Sequence, residues 1–171
     1  MDNLNDFLKH NTVDGGFLQS EHWENFQKKL NRRTFRIEKE GEFSALVLNY
    51  GLPIVGNYFF IPRGPVIKIQ NKCPNELINL AKDNHIGWIR VEPQRKRELE
   101  IIKEHLGSKY RMIQSEKNHE PAQTLMLDLK KSETSILREM KSKTRYNVRI
   151  SQKREVEIFI SREEKYFDKF S

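Results

Sequence analysis

The sequence predicts a mixed α/β fold, and three observations carry the prediction. Strand-like runs accumulate before the first strand–helix–strand alternation, which separates this chain from a doubly wound parallel sheet. Its 171 residues include ten Phe, two Trp and five Tyr, enough aromatic mass for a core in a chain that is 32% charged. Gly and Pro fall at the ends of the apolar runs, where they punctuate elements.

Taken in order, the first element is a helix. Ser20 is its N-cap, and Trp23, Phe26 and Leu30 repeat at i, i+3, i+7 on its apolar side. "RTFRIEKEGEFSALVLNYG" reads as two strands around a Glu40-Gly41 turn. Its second arm is almost wholly apolar and therefore central in a sheet. "GNYFFIPRGPVI" is a third strand, stopped by Pro62 and Pro65. Pro74 opens a helix with Leu77, Ile78, Leu80 and Ala81 inward. "IGWIRVEP" is a strand, "QRKRELEIIKEHLG" a helix closed by Gly107, and "KYRMIQS" and "QTLMLDL" are further strands. A basic helix capped by Ser132 follows, then the strand "VEIFI", then a helix over residues 162–171 with Ser161 as its cap. A complete domain ends near Arg154.

Charge is the most localised feature. Residues 130–154 hold nine Lys/Arg against two Glu, a local +7 that equals the net charge of the whole chain. A pI near 9.5 favours polyanionic partners: nucleic acid, a nucleotide-linked substrate or an acidic membrane surface. At 100° per residue, Arg138, Lys141, Arg145 and Arg149 fall within about 80° of one another on a continuous helix. Ile136, Leu137, Met140, Thr144 and Val148 form the neighbouring stripe. Each like-charged i, i+4 pair costs roughly 0.2–0.5 kcal/mol. A solvated surface is one explanation of the stripe. The absence of Glu from relieving positions and the recurrence of Arg, a fork-shaped phosphate donor, favour an anion-binding face. On that reading, removing Arg145 weakens ligand binding and leaves folding untouched or slightly improved. Tyr146, beside the stripe, either stacks on a base or sugar or packs on a neighbouring element. Arg63, in the stiff "FIPRGPV" loop, is either a substrate rim or a solvated turn residue.

Other chemistries lack their signatures. No phosphate-loop glycine pattern occurs. The five His show no metal-ligand spacing, so no metal is expected. Cys73, the single cysteine, reads as a small loop residue, and Asp128 as a turn or cap residue. No apolar run reaches the length of a spanning helix, and the acidic-polar N-terminus is not a signal peptide. Spacing alone names no catalytic residue.

Three stretches in order, "GGFLQSEHWENFQKKL", "YFFIPRGPV" and "QTLMLDLKKSETSILREMKSKTRYNVRISQKREVEI", resemble the FemAB/FemX peptidoglycan-bridge aminoacyltransferases. The family pattern is F-x-Q-S-x-x-W, a P-R-G-P loop, then T-x-x-[IVL]-D-L and M-x-x-[KS]-x-R-x-x-[IV]-[RK]. Phe17, Gln19, Ser20 and Trp23 match the first part, and residues 62–65 the second. Thr124, Asp128, Leu129, Met140, Arg145 and Arg149 match the third. The resemblance implies tandem GNAT-like acyltransferase domains, each a central mixed sheet flanked by helices. Residues 1–154 then form the N-terminal domain, and 155–171 the incomplete beginning of a second. It implies transfer of an amino acid from aminoacyl-tRNA to a UDP- or lipid-linked muropeptide precursor, with no cofactor. The ordinary GNAT acetyl-CoA signature, [QR]-x-x-G-x-[GA], does not occur in this sequence.

Relatives hold the precursor's pyrophosphate with basic side chains, which makes Arg145, Arg149, Lys141, Tyr146, Arg63, Lys28, Gln27 and Trp23 the substrate- or phosphate-binding candidates. Relatives also place a Lys four residues after the Trp. Here that position is Gln27, with Lys28 and Lys29 following. The second domain supplies the acyl-transfer pocket, so this chain is expected to be the precursor-binding half, inactive alone, with a second chain as one possible source of the rest. Its location is expected to be cytoplasmic, with peripheral contact at the inner membrane face. The C-terminal stretch, with Phe159, Tyr166, Phe167 and Phe170 lacking their core, is expected to be the least stable part. An RNA- or tRNA-binding module and an inert interaction remnant are the competing readings.

Overall fold

Residues 43–62 contain no charged side chain, and they form the middle of the sheet. The structure is a computed structural model describing residues 4–68, 75–121, 123–161, 163 and 166. Strands β1 (Thr34–Lys39), β2 (Phe43–Leu52) and β3 (Gly56–Ile61) form an antiparallel meander, with Gly41 at φ 65° in the predicted first turn. Strand β4 (Val66–Ile67) pairs antiparallel with the start of β2, and β5 (Ile89–Val91) runs parallel to β3. The sheet is therefore mixed, in the order β1-β2-β3-β5, with β4 also on β2.

Both faces of β2 are covered, which explains its unbroken apolar run. One face presents Phe43, Ala45 and Val47 to Leu77 and Ala81 of α3 (Glu76–Asp83) and to Ile101, Ile102 and Leu106 of α4 (Lys96–Leu106). The other presents Leu46 and Leu48, with Tyr58 and Phe60 of β3, to Trp23 of α2 (Glu21–Lys29). An additional helix, α1 (Leu4–Asn11), buries Phe7 and Leu8 against Val66. The chain divides into two compact units, Met1–Thr124 and Leu125–Ser171. The second contains α5 (Glu133–Glu139) and α6 (Ser142–Lys153).

Several expectations change. Residues 109–115, 123–129 and 156–160, predicted as strands, form no ladder among the described residues, and Ile113, Leu125 and Ile158 are exposed. Their composition suits a strand, but a strand exists only where a partner backbone accepts its hydrogen bonds. Helix α2 starts at Ser20 as predicted, yet Phe26 and Leu30 are 46% and 49% exposed while Gln27 is 1% exposed. A hydrogen bond, not apolarity, turned that face inward. Cys73 and Pro74 lie outside the described residues, as does most of the predicted helix 162–171. Ser161 Oγ does accept from the Glu163 amide at 3.1 Å. Phe159 is exposed, touching Tyr166 edge-on at 5.1 Å, and Phe167 and Phe170 lie outside the described residues.

Candidate functional site

The first two resembling segments meet in the first unit. Between β3 and β4 the chain turns away at residues 62–65, leaving a gap along β2. The Leu46 amide in that gap donates to Gln19 Oε1 at 2.7 Å, and Gln19 Nε2 donates to Pro62 O at 2.5 Å. Gln19 is fully buried and stands in for the missing strand. A Cβ on Gly64 would lie 2.7 Å from Gln19 Nε2, so the glycine of the P-R-G-P loop is required by the glutamine of the first segment. Ser20 Oγ accepts from the Trp23 amide at 3.3 Å and donates to Phe17 O at 2.7 Å, closing the start of α2.

The candidate residues of this unit have mixed positions. Trp23 contacts Phe17 and Phe26 with ring centroids 5.5 and 5.1 Å apart. Its Nε1, like Arg36 Nη2, is buried without a partner among the described residues. Gln27 Oε1 accepts from Arg32 Nη1 at 2.7 Å and faces the interior, so position 27 holds α2 to the following loop. Lys28 is paired to Glu24 at 2.7 Å. Arg63 donates to Pro121 O at 2.7 Å and to Thr124 Oγ1 at 3.3 Å, tying residues 121–124 to the loop. A groove of about 340 Å³ beside α1 and the β1–β2 turn contains none of the candidates.

Charged residues with little sequence signal organise this region. Arg36 donates to Glu24 Oε2 at 2.7 Å and to Gln19 O at 2.9 Å. Burial alone would raise the Glu24 carboxyl, but hydrogen bonds from Lys28 and Arg36 outweigh it and hold the group below the ordinary carboxylate value. Burial likewise works against ionised Glu92, yet the amides of His119 and Glu120 and the Arg90 guanidinium hold its pKa low. Glu98, in the first turn of α4, goes the other way: burial raises it more than the Arg95 amide lowers it.

In the second unit the predicted basic helix is broken. Met140 closes α5 with ψ 151°, and Lys141 opens α6 with ψ 146°. Arg145 fills the break, with Nη1 donating to Arg138 O and Met140 O, two carbonyls at the end of α5. The continuous stripe from Arg138 to Arg149 therefore does not form. Splitting the helix satisfies two carbonyls at the end of α5. Ser132 caps α5 as predicted, accepting from the Ser135 amide at 3.3 Å. Helix α6 contains no acidic residue, and Lys143 and Arg145 sit in its first turn, where positive charge opposes the helix dipole. Arg149 and Tyr146 are exposed, Tyr146 at 62%, and neither Arg149 nor Lys141 has a side-chain hydrogen bond or ion pair among the described residues. Ile136, Leu137, Met140 and Val148 are half-buried, whereas Thr144 is exposed.

No curated protein matches the chain, and no solved structure does. A family model does, that of the FemAB family, over residues 2–171.

The chain belongs to the FemAB family.

The match spans both the Gln19–Gly64 junction of this FemAB chain and its α5–α6 surface. Among the described residues no His/Cys/Asp/Glu group could hold a metal, and no helix is long and apolar enough to cross a membrane.

Proposed function

We propose that this FemAB chain serves an aminoacyltransferase of peptidoglycan-bridge synthesis, passing an amino acid from aminoacyl-tRNA to a UDP- or lipid-linked muropeptide precursor. The family match over residues 2–171 carries the reading, and the arrangement of α6 supports it. An acid-free helix with cations in its first turn carries an electrostatic cost that a bound phosphate would offset. Arg149, Lys141 and Tyr146 are the exposed groups for that role. Arg145 is committed to α5 and orients the pair of helices. In the first unit, Trp23 Nε1 and Arg36 Nη2 are buried donors awaiting an acceptor. Arg63, Lys28 and Gln27 position their surroundings.

On this proposal residues 1–154 belong to a GNAT-like domain that binds the precursor, and 155–171 open a second such domain supplying the acyl-transfer pocket. The chain works in the cytoplasm at the inner face of the membrane. Titration with a UDP-muropeptide and with tRNA tests the reading. Each charge-assisted contact contributes roughly 1.5–3 kcal/mol, so Arg149→Ala should weaken precursor binding about 10- to 150-fold. Unchanged affinity in a protein that binds the precursor would make α6 an ordinary charged surface. Binding of tRNA alone, with steep salt dependence, would favour the RNA-binding reading.

A further inference from the structure

The β2–β3 hairpin ends in an apolar tip that is exposed among the described residues. Leu52, Ile54 and Val55 are 40%, 107% and 64% exposed. Ile54 has φ 73°, and the Val55 amide donates to Pro53 O at 2.8 Å across it, which makes a γ-turn. A β-branched residue is strained at positive φ, where Asn or Gly would serve the turn better and dissolve more readily. Behind the tip runs a row of aromatic rings across the strand ends. Tyr50 stacks on Tyr58 at 5.5 Å, and Tyr58 on Trp88 at 5.0 Å with 6° between planes, Trp88 being 41% exposed. Backbone bonds fix this placement: the Gly87 amide donates to Asn57 O and the Phe59 amide to Trp88 O.

Cations flank the row. Arg32 lies over the Tyr50 ring at 5.0 Å and donates to its hydroxyl at 3.1 Å, whereas the Arg33 guanidinium lies over the Phe35 ring at 4.8 Å. On the other flank, Lys82 lies in the last turn of α3, before the short loop that leads to Trp88. An uncharged apolar apex, then Tyr and Trp, then Arg and Lys, is the layering of a segment that enters the interface of a bilayer.

We propose that the hairpin tip inserts into the headgroup region of an anionic phospholipid surface, with Tyr50, Tyr58 and Trp88 at interfacial depth and Arg32 toward the lipid phosphates. Nucleic acid would use the rings and cations but has no use for Leu52, Ile54 and Val55, so the membrane is the better fit. Where the acceptor is lipid-linked, this surface would bring the chain to it. The binding itself needs neither acceptor nor tRNA, so its failure and that of the transferase reading are separable.

The test is co-sedimentation of the 171-residue chain with vesicles of phosphatidylglycerol mixed with phosphatidylcholine, and with phosphatidylcholine alone. The chain should bind the anionic vesicles more tightly, with a blue shift and quenching of tryptophan fluorescence by brominated lipid. Ile54→Asn keeps a residue suited to positive φ, so folding is retained, yet it should weaken vesicle binding about tenfold or more. Equal binding by wild type and Ile54→Asn overturns the proposal. So does binding to single-stranded RNA without vesicle binding, or a concentration-dependent dimer that Ile54→Asn abolishes while vesicles are ignored.

Discussion

Arg36 and Arg149 carry the same guanidinium in different units, and their surroundings are opposite. Arg36 is 14% exposed and joins Glu24 to the Gln19 carbonyl. Arg149 stands in water on a helix without an acid. Both regions fall within the same family match, but Arg36 is used inside the fold, whereas Arg149 has no side-chain partner among the described residues. A sequence resemblance therefore bundles two kinds of residue: those that close the fold and those left facing outward.

Substitutions can break or sharpen that contrast. The largest stability loss is expected for Gln19→Ala, which leaves the buried Leu46 amide and Pro62 carbonyl unpaired at about 1–3 kcal/mol each. Urea denaturation should show a loss of about 3–5 kcal/mol once the cavity is included. Gly64→Ala forces a Cβ against the Gln19 amide and should cost about 1–3 kcal/mol. If either change proved silent, the junction would not be the closed region described.

Acid comes next. Glu24 and Glu92 have folded pKa values below the ordinary one. The native state thus binds fewer protons than the unfolded chain across that range. Their contribution is complete above the ordinary carboxylate pKa and is lost as pH falls through the folded values. Glu24→Gln with Glu92→Gln should flatten the acid limb of a stability–pH curve by about 1–2 kcal/mol. Glu98 has the opposite sign, because its raised value penalises the ionised form. Glu98→Gln, which can still accept from the Arg95 amide, should be neutral or stabilising at pH 7.

Arg145→Ala removes donors from two carbonyls ending α5 and should cost about 1 kcal/mol, measured by thermal melts. The sequence alone suggests no loss. Smallest of all, Arg149→Ala should move stability by less than about 0.5 kcal/mol while carrying the largest effect on precursor affinity. A large stability change there would mean that Arg149 belongs with Arg36 after all.

Much of the first unit is legible from local chemistry. Ser20 reads as a cap because its hydroxyl needs only the amide three residues on, and the Glu40-Gly41 turn reads from a glycine able to take positive φ. The unbroken apolar run of β2 announces burial on both faces. The cationic address of residues 130–154 is likewise plain in composition. The sequence offers Gln27 as a binding candidate but does not show its partner, because Arg32 reaches it only once α2 has turned into the following loop.

By itself, then, the sequence determined the β1–β3 strands and the helices α2 and α4, the caps Ser20 and Ser132 and the location of the excess charge, since each depends on residues a few positions apart. Only the tertiary structure decided that Gln19 and Gly64 are one device 45 positions apart, that Arg36 belongs to Glu24, and that Arg145 caps α5 while Arg149 stays exposed. It also decided that residues 109–115, 123–129 and 156–160 form no ladder among the described residues. The physical reason is the same throughout. Periodicity and capping are short-range preferences written in neighbouring residues, whereas a hydrogen-bond partner for a buried amide, a carboxylate or a strand edge is chosen by which distant segment arrives there.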